Sequence, residues 1–168
     1  MDIDLLNLKT AVIVLAVLTT GLSAGLFYAW QVSVIPGTKQ ISHSNYLATM
    51  QSINREILNP RFFASFFGSI VLLTAATIWL FGSPAFHLFL AATLVYGIGT
   101  FGVTAAGNVP LNNQLDAVEL QQLSPEKAQE IRVTYETPWN RFNRIRTWAA
   151  VLSFALSLIG LMAYAKAL

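Results

Sequence analysis

Two stretches of this chain carry no charged side chain, and their lengths constrain the fold more than any other feature. No Asp, Glu, Lys or Arg occurs between Lys9 and Lys39, or between Arg61 and Asp116. A helix needs about 20 apolar residues to cross the hydrocarbon of a bilayer. The first gap holds one crossing. The second holds two crossings and a turn, for which Gly82-Ser83-Pro84 has the right residues. A fourth uncharged run extends from Thr147 to Ala165. Composition agrees: hydrophobic residues make up 55% and charged residues 11%, against about 25% charged in soluble domains. The chain therefore reads as all-α, a membrane four-helix bundle forming a single transmembrane domain over residues 1–168. The spans fall at about 10–35, 61–81, 85–106 and 146–165. Polar segments 36–60 and 107–145 lie together on one side and carry short additional helices.

Local signals punctuate these elements. Pro36-Gly37 ends span one. Residues Ser44 to Leu58 form a short amphipathic helix with Leu47, Met50, Ile53, Ile57 and Leu58 on one broad face. Asn59-Pro60 and Ser124-Pro125 each pair a capping side chain with a proline suited to the first helical position. Thr137-Pro138 repeats that pattern and opens span four, so that Trp139 to Trp148 form its first turns. The two halves resemble each other weakly: a glycine-bearing span, an exit at Val34-Ile35-Pro36 or Val109-Pro110, a polar segment, then Asn54-Arg55 or Asn140-Arg141. Parallel repeats would produce this, and so would chance.

Charge also suggests orientation. Lys39, Arg55, Arg61, Lys127, Arg132, Arg141, Arg144 and Arg146 lie on the side of the polar segments, and only Lys9 and Lys166 lie opposite. The positive-inside rule places segments 36–60 and 107–145 in the cytoplasm, as in a bacterial inner-membrane protein. The acidic start Met1-Asp2-Ile3-Asp4 differs from a secretory signal, and the first apolar run is expected to be retained as a helix.

Several chemistries find no residues to carry them. Cysteine is absent, which removes disulfides, thiolate catalysis and iron–sulfur ligation. His43 and His87 fall at opposite ends of the bundle, roughly 30 Å apart by helix rise, so no metal site and no cofactor are expected. Net charge is +2, which gives no footprint for nucleic acid. Gly97-x-Gly99-x-x-Gly102 matches a dinucleotide fingerprint in form only, since it lies inside an apolar run with no preceding strand. Gly21-x-x-x-Gly25 suits close helix approach, either within the bundle or between copies in a homo-oligomer.

The polar end is where chemistry is expected. Asn140, Asn143, Arg144 and Thr147 recur at helical spacing. Gln51, Asn54 and Arg61 come near span two, and Asn108, Asn112 and Asn113 follow span three. Phe27, Tyr28, Trp30, Phe62, Phe63, Tyr135, Trp139, Phe142 and Trp148 surround them. Such an end can hydrogen-bond the helices together, or it can offer amide and guanidinium donors and flat walls to a ligand.

The residues Ala24-Gly25, Trp30, Pro36-Gly37, Met50-Gln51-x-x-Asn54, Asn59-Pro60, Gly107-Asn108-x-Pro110-x-Asn112 and Trp139-Asn140-x-x-Asn143-x-x-Arg146 together resemble the anthrone oxygenase-like family of small four-helix membrane proteins. The resemblance implies oxidation of planar aromatics by dioxygen without a recognised metal or other cofactor. It also implies a ligand-binding set of Trp30, Asn54, Asn108, Asn112, Trp139, Asn140, Asn143 and Arg146. His43 and Glu56 are the candidate bases on that side, although neither falls in a motif. The alternative is a non-enzymatic binding or assembly subunit that holds a lipid, a quinone or a partner helix. Expected partners are the lipid bilayer and a planar aromatic or lipid-like small molecule.

Overall fold

The computed structural model describes residues 3–167, with side chains from residue 7 onward. Of the acidic start, Met1 and Asp2 lie outside the described residues. The described residues are helical with no strand. Helix α1 spans Ile3–Ala29 and continues without a break through a π-helical stretch, Trp30–Val34, into α2, Ile35–Thr38. Helix α3 is His43–Glu56 and α4 is Pro60–Trp79. Helix α5, Phe86–Leu94, runs through π-helical Val95–Gly102 and Thr104–Asn108 into α6, Val109–Asp116. A 3₁₀ turn at Leu120–Gln122 leads to α7, Pro125–Ala165.

Four helices are long and apolar enough to cross a membrane: Asn7–Thr38, Pro60–Trp79, Phe86–Asp116 and Pro125–Ala165. Helix α1 lies between α4 and α7, and the α5 helix closes the ring against both. The outer surface is apolar: Val71, Ile78, Ile98, Leu152 and Met162 all project outward, Ile98 at 72% exposure. Apolar surface of this kind marks a membrane-facing or partner-facing exterior, and the four long apolar helices suit the first. The α4–α5 turn passes through Gly82, whose φ of +78° is a conformation that disfavours any side chain.

Caps explain where α3, α4 and α7 begin. The side-chain oxygens of Ser42, Asn59 and Ser124 accept the amides of Asn45, Phe62 and Lys127, and Pro60 and Pro125 take the first-turn position at which no amide is needed. Three other prolines, Pro36, Pro110 and Pro138, lie within helices rather than ending them. Pro36 does not end the first helix, and Pro110 does not mark an exit from the third. The N–H groups of Ile35 and Val109, each just before a proline, bond to the carbonyls of Trp30 and Thr104, five residues back. Widening the turn by one residue accommodates a proline that would otherwise clash with the preceding turn. Both halves of the chain use this device at the same place.

Pro138 likewise lies inside one 41-residue helix, rather than opening a separate fourth span. An interior proline costs about 3 kcal/mol. Against that, Ala128, Arg132, Tyr135, Trp139, Asn143 and Arg146 form one buried stripe that passes through the proline without changing face. Their burial offsets that cost and keeps the chain helical on both sides of Pro138.

The core divides into three clusters along the bundle axis. Ile13, Leu73, Leu80, Phe89 and Tyr96 fill the hairpin end. Phe27, Phe66 and Ala150 follow, and Tyr46, Leu47, Met50, Tyr135 and Trp139 fill the far end. Buried hydroxyls stitch the interior. Tyr96 donates to Ser23 Oγ and to the Phe66 carbonyl at 3.1 and 3.0 Å, and Ser153 donates to the Ala92 carbonyl at 2.8 Å. Of the paired glycines in α1, Gly21 meets the Phe154 ring of α7 within the bundle, whereas Gly25 meets nothing within 4 Å.

Candidate functional site

Between the middle and far clusters, α1, α3, α4, the end of the α5–α6 helix and α7 enclose a cavity of about 80 Å³. Phe27, Trp30, Phe62 and Trp139 supply aromatic walls, and Thr104, Asn54, Asn112 and Arg146 supply polar groups. Leu26, Leu58 and Val109 are exposed and also line it, so its mouth is apolar. The π-helical turns place two of these walls. Trp30 and Thr104 are the residues whose carbonyls accept the displaced bonds ahead of Pro36 and Pro110.

Arg146 is the central group. It is only 8% exposed, and the three ion pairs among the described residues join Arg55 to Asp116, Lys127 to Glu130 and Arg132 to Glu136. None includes Arg146. Its Nε donates to Asn143 Oδ1 at 3.1 Å and its Nη1 reaches Thr104 Oγ1 at 3.5 Å. The guanidinium lies over the Phe27 ring at 4.4 Å and near the Trp139 ring at 5.2 Å. Cation–π contacts of this kind are worth roughly 0.5–2 kcal/mol each, far less than a buried charge loses on leaving water. Among the described residues, no carboxylate pairs with this charge.

The other polar groups hold this arrangement in place. Asn112 Oδ1 accepts from Trp139 Nε1 at 2.7 Å and from the Tyr135 hydroxyl at 3.1 Å. Asn54 Nδ2 donates to that hydroxyl at 3.3 Å. Trp139 is thus fixed in orientation, with its ring 5.7 Å from that of Trp30. Asn108 is fully buried and donates to the Trp139 carbonyl at 3.2 Å, while its Oδ1 has no partner. Gly107 lets α7 come close here, because a Cβ at that position would meet the Phe142 ring at 2.6 Å. Behind the cavity, Asn143 is fully buried and donates to Gln31 Oε1 at 3.1 Å.

Trp30, Asn54, Asn112, Trp139 and Arg146 therefore line one cavity, with Asn108 and Asn143 bonded just behind its wall. Asn140 does not join them. It lies around the helix, in an outer groove with Lys39, Arg141 and Arg144. The candidate bases are also elsewhere. Glu56 is exposed at the end of α3. His43 begins α3, roughly 16 Å of helix rise from Asn54, and its buried Nδ1 has no partner. The lining includes no carboxylate and no imidazole. Nearby Tyr46 is no substitute, because burial, reinforced by Glu136 and Tyr135 and opposed by Arg132, pushes its phenol well above the usual range. Among the described residues, no three of His, Asp and Glu gather as a metal-binding group.

Sequence reasoning missed Thr104 and Gln31. Thr104 stands four residues before Asn108 and eight before Asn112, a repeat that a search for hydroxyls as well as amides would have found.

A family model described as anthrone oxygenase matches residues 61–156, more than half of the chain. The chain belongs to the anthrone oxygenase family. The matched region of this anthrone oxygenase family member includes Thr104, Asn108, Asn112, Trp139, Asn143 and Arg146. Trp30 and Asn54, with Leu26, Phe27 and Leu58 of the same lining, come from the part before the match. No curated protein and no solved structure matches the chain.

Proposed function

We propose that the chain binds a planar aromatic through an ionised ring oxygen at Arg146 and oxidises it with dioxygen. The observation that carries this reading is a buried guanidinium with no carboxylate partner, set in a wall of four aromatic rings. Membership of a family described as anthrone oxygenase supports an anthrone as the substrate.

The chemistry follows from the lining. An anthrone loses a proton from its central methylene to give an enolate whose negative charge is shared between the oxygen and the opposite ring carbon. Arg146 stabilises the oxygen end and so favours loss of the proton, which passes to solvent water at the cavity mouth because the lining holds no carboxylate or imidazole. The carbon end transfers electrons to dioxygen and forms a carbon–oxygen bond, and protonation gives a hydroperoxide. Loss of the remaining proton on that carbon then breaks the oxygen–oxygen bond. The products are the quinone and water, one of each per dioxygen consumed.

A void of about 80 Å³ is small beside the ~300 Å³ of ordinary ligand pockets. That volume holds at most the oxygen-bearing edge of an anthrone, so binding requires the α3–α4 corner, where Leu58 is 65% exposed, to open. A second reading, a binding subunit that holds a quinone or a lipid without turnover, is favoured by the absence of a proton acceptor from the lining.

Purified protein in detergent, given an anthrone under air, should form quinone with matching oxygen uptake above the spontaneous rate. Arg146→Gln should lower the enzymatic rate by about 10²–10³, as loss of an oxyanion donor does. A rate unchanged by Arg146→Gln and by Trp30→Ala would remove the catalytic reading. Retention of the quinone product without turnover would favour the second.

A further inference from the structure

On the face of α7 opposite the cavity, a groove of about 690 Å³ runs between the end of the first helix and the turns around Pro138. Lys39, Arg141 and Arg144 line it. All three are exposed, and none takes part in the three ion pairs found among the described residues. The groove's single acid, Glu136, is occupied by Arg132 at 2.7 Å. Three cations thus converge with no counter-charge.

The height of the groove is also informative. Arg141, Arg144 and Trp148 follow one another on one helical face, and the uncharged run begins at Thr147. Trp148 is 55% exposed and meets the Tyr28 ring edge-on at 6.4 Å, the pairing expected at a membrane–water boundary. Below it the same face continues through Leu152, which is exposed. A ligand seated here meets positive charge at headgroup depth and an apolar surface directly beneath. Free phosphate would satisfy only the upper part.

We infer that this groove is a binding site for the phosphate headgroup of an anionic phospholipid, whose acyl chain lies along α7 below Trp148. The charges select an anionic headgroup over a zwitterionic one. Each basic residue near such a surface contributes about fivefold in affinity.

The test is native mass spectrometry of the purified protein with phosphatidylglycerol or phosphatidylcholine added to the detergent. The wild type should retain phosphatidylglycerol in preference. The Arg141→Gln, Arg144→Gln double variant should lose most of that preference, by roughly 25-fold if the two contributions add, while keeping its thermal transition. Lys127→Gln, already paired with Glu130 at 2.8 Å, should retain the preference. Equal retention of the two lipids by the wild type, or an undiminished preference in the double variant, would overturn the inference. Full displacement of the lipid by inorganic phosphate would also overturn it, and would assign the groove to a free anion.

Discussion

A guanidinium buried without a carboxylate is stable only when other groups share its charge. For Arg146 these are Asn143, Thr104 and the faces of Phe27 and Trp139. Arg146→Lys keeps the charge but loses the planar fork, and its oxidation rate should fall between wild type and Arg146→Gln when assayed by oxygen uptake. Asn112 is the most committed acceptor in the wall. Asn112→Ala strands two buried donors, Tyr135 and Trp139, at about 1–3 kcal/mol apiece. Thermal unfolding in detergent should show a clear loss, whereas Asn140→Ala, out in the groove, should change stability little. Asn140 and Asn143 also show the limit of spacing arguments. They lie three apart and close on a helical wheel, yet Asn143 is fully buried and Asn140 is not. Spacing says which residues are neighbours on a helix. It does not say where the edge of the buried stripe falls.

At the scale of elements, prolines carried more than one meaning. Asn59-Pro60 and Ser124-Pro125 start helices, as a local reading expects. Pro36, Pro110 and Pro138 look similar in sequence, and the helix runs on through each. What separates the two groups is a helix already formed ahead of the proline, with a widened turn before Pro36 and Pro110 and a buried stripe crossing Pro138, features that no short window contains. The π-helical turns at Trp30 and Thr104 were hidden for the same reason, although the repeat that contains them was visible as two proline exits. Close packing can be tested directly. Gly107→Ala drives a methyl into Phe142 and Gly99→Ala drives one into Ala149, both at 2.6 Å. Each should destabilise the bundle by about 1–3 kcal/mol, the usual penalty of overpacking. Gly25→Ala, facing open space, should be neutral or stabilising by up to about 1 kcal/mol.

For the whole molecule, the uncharged runs alone were enough to find four crossings, because hydrocarbon tolerates so few charges that their absence is a length measurement. Orientation rests on the asymmetry of lysine and arginine. The chain lacks cysteine, so single cysteines report on sidedness without background. Lys166→Cys should react with a membrane-impermeant maleimide in intact cells, and Ser52→Cys on α3 should react only after lysis. The reverse pattern would invert the topology. The enclosed site was less legible than the spans, because it is assembled from five elements and its volume depends on how they lean together.

Helix α7 is about 60 Å long, twice the thickness of the hydrocarbon it crosses. Its lower half is apolar enough to cross a membrane, and its upper half carries Pro138, Trp139 and the far wall of the cavity within the same uninterrupted helix. Any tilt imposed on the lower half by a thicker or thinner bilayer is transmitted upward as in a lever. The gap between Trp139 and Trp30, 5.7 Å between ring centroids, should therefore change when the protein is moved between vesicles of short-chain and long-chain lipid.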